Sequence, residues 1–229
     1  VCTLPIARAG DDSRVQAVDS DRIEFTAVAI PRAGQSSHAP ATSTPCQVTF
    51  VDNPYGSQYF DAVHWLQWSG ISAGYAGDNT FRKARAISRG ESLAFIHRYV
   101  APEATGGAQS PFRDVPTTHP FFDAVSWAVQ ERIARGYADG TYRPSQSVTR
   151  AEFASLFHRT VGTSGQDASA VAFPDVSRDS SHREAILWMA SQGLITGYAD
   201  GTFRPDRQIT RGEVAVIMHR YASTTGIGI

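Results

Sequence analysis

Lysine is almost missing from this chain. Lys83 is the only one, so arginine carries nearly all of the positive charge. The 21 basic and 22 acidic residues leave a formal net charge of −1, and no basic excess points to a nucleic-acid surface. The arginine bias alone is what a GC-rich genome would also produce. Cysteine is scarce too, with only Cys2 and Cys46. These two either pair in an oxidising compartment or stand as free thiols, and they are too few for a thiolate metal site. No apolar run is long enough to span a bilayer. No signal peptide opens the chain, although a mature secreted protein would have lost one. A nucleophile–base pair, a Gly-rich phosphate loop and a zinc-protease motif are all missing. No catalytic residue, metal or cofactor is therefore assigned.

What is present is repetition. One copy runs Phe112-Arg113-Asp114-Val115, Trp127, Gly136-Tyr137-Ala138-Asp139-Gly140-Thr141-Tyr142-Arg143-Pro144 and Thr149-Arg150-Ala151-Glu152. A later copy repeats it as Phe173-Pro174-Asp175-Val176, Trp188, Gly197-Tyr198-Ala199-Asp200-Gly201-Thr202-Phe203-Arg204-Pro205 and Thr210-Arg211-Gly212-Glu213. An earlier, looser copy has Phe50-Val51-Asp52, Trp65, Gly74-Tyr75, Thr80-Phe81-Arg82 and Ser88-Arg89-Gly90-Glu91. Arg89, Arg150 and Arg211 are spaced by 61 residues at both steps. A fixed period of this size means one structural unit used three times. The expected divisions are an N-terminal extension over 1–48 and repeats over 49–108, 109–170 and 171–229.

The extension is rich in Ala, Ser, Thr, Pro and Asp, with one strand-like run from Ile23 to Ile30 and a linker-like stretch from Pro31 to Pro45. Each repeat reads as helix, loop, helix. Pro120 stands where a first-turn proline is tolerated, and Phe121, Ala124, Val125, Ala128 and Val129 follow at helical spacing. Ser181-His182-Arg183-Glu184 predicts a capping box for the equivalent helix of the last copy, with a left-handed cap at Gly193. Gly70 matches it in the first copy, but Arg132 holds the place in the second, so that cap must be strained or built differently. The second helix of each copy is predicted to start at a capping box: Ser88 with Glu91, Thr149 with Glu152, Thr210 with Glu213. Phe153, Leu156 and Phe157 give its apolar face. Two short helices cannot bury that face alone; three units about a pseudo-threefold axis can. The expected fold is all-α.

Capping explains Thr and Glu but not the arginine between them. Arg89, Arg150 and Arg211 fall at the first helical position, where the macrodipole disfavours a cation. Two partners would compensate. One is a nearby acid such as Asp114 or Asp139. The other is an anionic ligand held by the guanidinium together with helix N-terminal N–H groups.

The loops around Gly136, Tyr137, Asp139 and Gly140 and around Gly197, Tyr198, Asp200 and Gly201 serve either as plain tight turns or as ligand-shaping segments. The first copy, from Gly74 and Tyr75, carries one extra residue, and Lys83 replaces the proline, so its site is expected to be altered. Trp65, Trp127 and Trp188 read as core more than as sugar platforms, which leaves the three tyrosines as the better carbohydrate candidates. His97-Arg98, His158-Arg159 and His219-Arg220 also recur. Three histidines meeting on the axis would suit zinc, but His158 lies away from the Phe153/Leu156/Phe157 face, and surface or groove packing is expected instead.

The ordered set of Phe-x-Asp-Val, tryptophan, Gly-Tyr-x-Asp-Gly-Thr-Phe-x-Pro and Thr-Arg-x-Glu resembles the S-layer homology (SLH) domain, over about residues 50–222. The Phe-Phe before the first helix and the His-Arg near the end of the second are similar to the actinobacterial variant. The resemblance implies a three-pronged, pseudo-threefold helical unit with ligand grooves between repeats. It implies a non-catalytic, extracellular module that anchors proteins to the bacterial cell wall. Its usual ligand in Gram-positive bacteria is a secondary cell-wall polysaccharide, often bearing a pyruvate ketal. By motif match, Arg89, Arg150 and Arg211 would contact the carboxylate. From their position against the helix dipole, Arg150→Ala and Arg211→Ala are expected to weaken binding while the fold survives. Two alternatives stay open: a protein–protein scaffold binding neighbours in a surface array, and the anchor of a larger secreted hydrolase.

Overall fold

The computed structural model describes residues 50–162 and 172–226. The extension, its strand-like run, Cys2 and Cys46 lie outside the described residues. Among the described residues there are six helices and no sheet: α1 (Phe60–Trp68), α2 (Arg89–Val100), α3 (Phe122–Gln130), α4 (Arg150–Val161), α5 (Arg183–Ser191) and α6 (Arg211–Thr225). The all-α expectation holds.

The second helix of every copy begins at its capping box. Ser88, Thr149 and Thr210 accept from the backbone N–H of Glu91, Glu152 and Glu213 at 3.3, 3.1 and 3.2 Å, and each glutamate accepts in return from the cap N–H. The first helices start differently. No side chain caps α1, α3 or α5. Ser181 is not the cap of α5, because the helix starts one residue later: His182 holds the cap position, and its N–H is taken by Ser180 Oγ at 3.3 Å. Pro120 likewise lies in the turn before α3, not in its first turn. At the other end of these helices the left-handed residue expected from sequence is found. Gly70 has φ +74° and Gly193 φ +67°, and Arg132 takes φ +59° in their place, as a strained cap.

Closure comes from three backbone hydrogen bonds that chase each other around a ring. Ile87 N–H donates to Ile209 O (3.0 Å), Ile209 N–H to Val148 O (3.0 Å) and Val148 N–H to Ile87 O (3.1 Å). All three side chains are fully buried. Around this ring, α3 packs on α2, α5 on α4, and α1 on α6. The first helix of each unit therefore rests on the second helix of the preceding one, and the last unit is followed by the first. That cyclic order is the pseudo-threefold arrangement. It explains why the apolar faces of Phe153, Leu156 and Phe157, all buried, need neighbours to cover them.

Candidate functional site

The glycine–tyrosine loop is built from a short set of contacts. Tyr137 N–H donates to Thr141 O at 2.8 Å, closing the turn, and Gly140 fills its left-handed position at φ +74°. Asp139 Oδ1 accepts from the Thr141 hydroxyl at 2.6 Å and from its N–H at 3.1 Å. The Thr141 hydroxyl, with Arg143 beside it, holds the Asp139 carboxyl at about 2, and Thr202 and Arg204 do the same for Asp200. A Cβ at Gly136 or Gly197 would run into the Phe112 or Phe173 ring, so these two glycines answer to packing. The aspartate of Phe-x-Asp-Val pins the far end: Asp114 accepts from the N–H groups of Tyr142 and Arg143 at 2.8 and 2.7 Å, and Asp175 from those of Phe203 and Arg204 at 2.8 and 2.7 Å.

The enlarged loop of the first copy keeps this frame. Tyr75 N–H reaches Thr80 O at 2.8 Å, Asp78 takes the aspartate's part, and Asn79 adopts φ +50° where the other copies have glycine. The extra residue is absorbed at the exposed tip.

Each signature arginine works with the loop of the next repeat, not of its own. Arg89 Nε donates to Tyr142 O (3.0 Å), Arg150 Nε to Phe203 O (2.9 Å) and Arg211 Nε to Phe81 O (2.9 Å). The same guanidiniums lie 5.2, 5.1 and 5.1 Å from the rings of Tyr137, Tyr198 and Tyr75. Three inter-repeat grooves result: Arg89 with the second loop, Arg150 with the third, Arg211 with the first. The altered loop therefore belongs to the groove of Arg211, and Arg89 faces a complete one.

The acid partners differ from those expected. Asp114 and Asp139 serve the loop. Arg150 instead pairs with Glu213 at 3.5 Å and Arg211 with Glu91 at 3.1 Å, the capping glutamate of the next repeat in each case. Burial opposes the ionised form of Glu91, but the Ser88 N–H, Arg211 and Arg85 outweigh it and hold its carboxyl below the usual range. Burial pulls Arg150 and Arg211 below the ordinary arginine value. Arg150 and Arg211 are almost fully buried, with side chains 5% and 4% exposed, whereas Arg89 is half-buried. Among the described residues, no carboxylate lies within ion-pair distance of Arg89.

The helix N–H groups are not open to a ligand either. The N–H of Arg89, Arg150 and Arg211 donate to Gln146 O, Arg207 O and Arg85 O at 2.8, 2.8 and 2.9 Å. The next N–H groups, of Gly90, Ala151 and Gly212, donate to Pro144 O, Pro205 O and Lys83 O. An anion held by helix N-terminal N–H groups is thus ruled out at these helices, because the following repeat already occupies the donors.

Tyr75, Tyr137 and Tyr198 are half-buried, and the arginine after each loop stacks on the ring: Arg82, Arg143 and Arg204 at 3.8, 3.8 and 3.9 Å. These three arginines hold left-handed backbone, φ +56° to +58°, and pair with Asp78, Asp139 and Asp200. Sequence reasoning passed over them. It also passed over Arg85 and Arg207, which reach Glu91 and Glu213. The available signal was the alternation Arg85, Gln146, Arg207 four residues before each signature arginine.

Trp65, Trp127 and Trp188 are core, as expected, at 5–8% exposure. The three histidines do not meet on the axis. His97, His158 and His219 pack instead against Trp127, Trp188 and Trp65 of the next repeat, with centroids 5.2, 4.9 and 5.5 Å apart. Arg98, Arg159 and Arg220 beside them donate to the carbonyls of Ile71, Ile133 and Leu194. No group of three or more potential ligands among the described residues is placed to hold a metal ion. No described helix is long and apolar enough to cross a membrane.

Comparison with known proteins agrees with this architecture. The family model of the S-layer homology domain matches residues 111–154 and 172–215. "Cell surface glycoprotein 1" of Acetivibrio thermocellus is 35% identical over 154 residues, covering 62% of this chain and 7% of that protein. The "Cellulosome-anchoring protein" of the same organism is 35% identical over 95 residues, 40% of this chain and 21% of the relative. An "Endoglucanase" of Bacillus sp. strain KSM-635 is 30% identical over 110 residues, 48% of this chain and 11% of the relative. The chain thus spans between 7% and 21% of the length of these relatives, which are far longer proteins. The matches assign the chain to the bacterial cell surface. The two matched stretches, residues 111–154 and 172–215, are S-layer homology domains.

Proposed function

We propose that this chain is a non-catalytic, extracellular module that anchors a protein to the bacterial cell wall by binding an anionic secondary cell-wall polysaccharide in its inter-repeat grooves. One observation carries this reading. At every junction the signature arginine of one unit, the tyrosine of the next and the arginine stacked on that tyrosine converge within about 5 Å. Guanidinium forks match carboxylate geometry, and a half-buried tyrosine beside them offers an apolar ring for a sugar. A pyruvate ketal would supply the carboxylate. The grooves comprise Arg89, Arg150 and Arg211 with the segments from Gly74-Tyr75, Gly136-Tyr137-x-Asp139-Gly140 and Gly197-Tyr198-x-Asp200-Gly201. The capping pairs support them from behind.

Residues 49–108 are included as a third repeat beside 109–170 and 171–229, because they keep the capping box, the loop frame and the arginine contact of the other two. The relatives named as a cellulosome-anchoring protein and an endoglucanase support a role as the anchoring part of a larger secreted protein. Nucleic acid and metal have no part in this reading.

Co-sedimentation with purified cell-wall sacculi tests it. The chain should pellet with intact sacculi and stay soluble after the wall polysaccharide is extracted. Equal pelleting with extracted sacculi would overturn the reading. Concentration-dependent self-assembly without any polysaccharide would favour a surface-array scaffold in its place.

A further inference from the structure

We infer that in two of the three grooves the guanidinium that meets the ligand is not the signature arginine but Arg85 or Arg207, and that Gln146 at the equivalent position makes the third groove the weaker anion site. This rests on the anchoring reading above and specifies which side chains carry it.

The backbone places these residues. Arg85 O, Gln146 O and Arg207 O each accept the N–H of the signature arginine of the neighbouring repeat. The residue four positions before one signature arginine is therefore fixed at the mouth of the groove headed by another. Access then separates the two arginines of a groove. Arg150 and Arg211 are 5% and 4% exposed and spend Nε on the Phe203 and Phe81 carbonyls. Arg207 and Arg85 are 33% and 40% exposed. Both place a guanidinium near the groove tyrosine, 5.6 Å from Tyr198 and 5.7 Å from Tyr75. Each spends Nη2 on the capping glutamate, Glu213 or Glu91, and leaves Nη1 without a partner among the described residues.

Charge separates the grooves in the same way. The Arg150 groove sets Arg150, Arg204 and Arg207 against Asp200 and Glu213. The Arg211 groove sets Arg211, Arg82 and Arg85 against Asp78 and Glu91. Each therefore keeps one uncompensated cation at its rim. In the Arg89 groove, Arg143 pairs with Asp139, Arg89 and the capping Glu152 form no ion pair with each other, and the rim position is Gln146, bonded to the Tyr137 hydroxyl at 3.2 Å. That groove has an uncharged amide where the other two have a rim guanidinium. The glutamate bridging two guanidiniums also keeps the buried arginine neutralised, so an arriving oxyanion answers the outer guanidinium without displacing an internal pair.

The ligand chemistry is an oxyanion carried on a glycan, from a ketal carboxylate or a phosphate. Calorimetric titration of the whole chain with purified wall polysaccharide tests the inference. The polymer is used as isolated, after mild-acid removal of ketal pyruvate, and after phosphatase treatment, which tells the two anion sources apart. The Arg85→Gln/Arg207→Gln double variant should lose about tenfold in affinity for the isolated polymer. Gln146→Arg should gain at least about threefold or add a tight site. Since Gln146→Arg adds a contact, its result stands even if the double variant unfolds. Wild-type affinity in both variants would overturn the inference and leave anchoring intact. Absence of binding by the wild-type chain itself would overturn both.

Discussion

Arg150 in the second repeat donates its Nε to the carbonyl of Phe203 in the third at 2.9 Å, from a side chain that is 5% exposed. Its Nη2 reaches Thr196 O at 3.1 Å, and Glu213 lies 3.5 Å from Nη1. A residue that opposes the dipole of its own helix is thus compensated by the neighbouring repeat. The arginine is a joint between units before it is anything else.

Replacing it should accordingly loosen the junction between the repeats. Arg150→Ala or Arg211→Ala leaves buried carbonyls and a capping glutamate short of a partner, at a cost of about 3 kcal/mol. Thermal unfolding followed by circular dichroism should show a fall of roughly 6–12 °C. Arg89→Ala, at a half-buried arginine with no carboxylate in reach, should cost about 1 kcal/mol. Equal losses at all three positions would contradict this division. A binding defect in Arg150→Ala is interpretable only beside its stability, which revises the expectation that the fold survives.

The capping glutamates separate in a matching way. Glu91→Gln and Glu213→Gln remove the charge that holds Arg85 with Arg211 and Arg207 with Arg150. Glu152→Gln removes a cap alone. The first two should cost about 1 kcal/mol more than the third in urea unfolding. Three equal values would mean that the bridging ion pairs add nothing.

Arg132 tests the strained helix end. It holds φ +59° where the sister copies have glycine, and its side chain is exposed. Arg132→Gly should therefore stabilise the chain by about 0.5–1 kcal/mol. Arg143→Gly, at φ +58°, should not, because Arg143 also stacks on Tyr137 and pairs with Asp139. A stabilised Arg143→Gly would show those contacts to be idle.

Acid should act through the loop aspartates. Asp139 and Asp200 are held at about 2, against an ordinary 3.8, first by the threonine hydroxyls of Thr141 and Thr202. A depressed carboxyl contributes stability above its unfolded value and loses it as pH falls through the folded value. The loops should stay intact at pH 5 and weaken between about pH 4 and pH 2. Carbon-13 carboxyl titration by NMR should find both midpoints near 2. Midpoints near 4 would contradict the turn geometry.

Much of this fold was legible in the residue pattern because its determinants are local. Ser88, Thr149 and Thr210 cap through a glutamate three residues on, and Phe153, Leu156 and Phe157 share one helical face. Arg132 announced its own strain by standing where two sister copies have glycine. What stayed hidden depends on closure. Arg211 finds Phe81 across 130 residues, and the ring of Ile87, Val148 and Ile209 has no signature within any one repeat. Sequence also pairs each arginine with the loop of its own copy, since they are neighbours along the chain, whereas the packing of α1 on α6 and α3 on α2 shifts every arginine to the next loop. Ser181 was misleading for a smaller reason: helix α5 starts one residue later than its box requires, and His182 is held by Ser155 of the neighbouring unit at 2.7 Å.

The most direct measurement is a pair of calorimetric titrations of the intact chain, one with wall polysaccharide carrying its ketal pyruvate and one with the same polymer after mild-acid treatment. Saturable binding to the first and a loss of at least about tenfold with the second are expected if the arginine-lined grooves hold the carboxylate. Equal affinity for both polymers would contradict a ketal carboxylate as the anion held in these grooves.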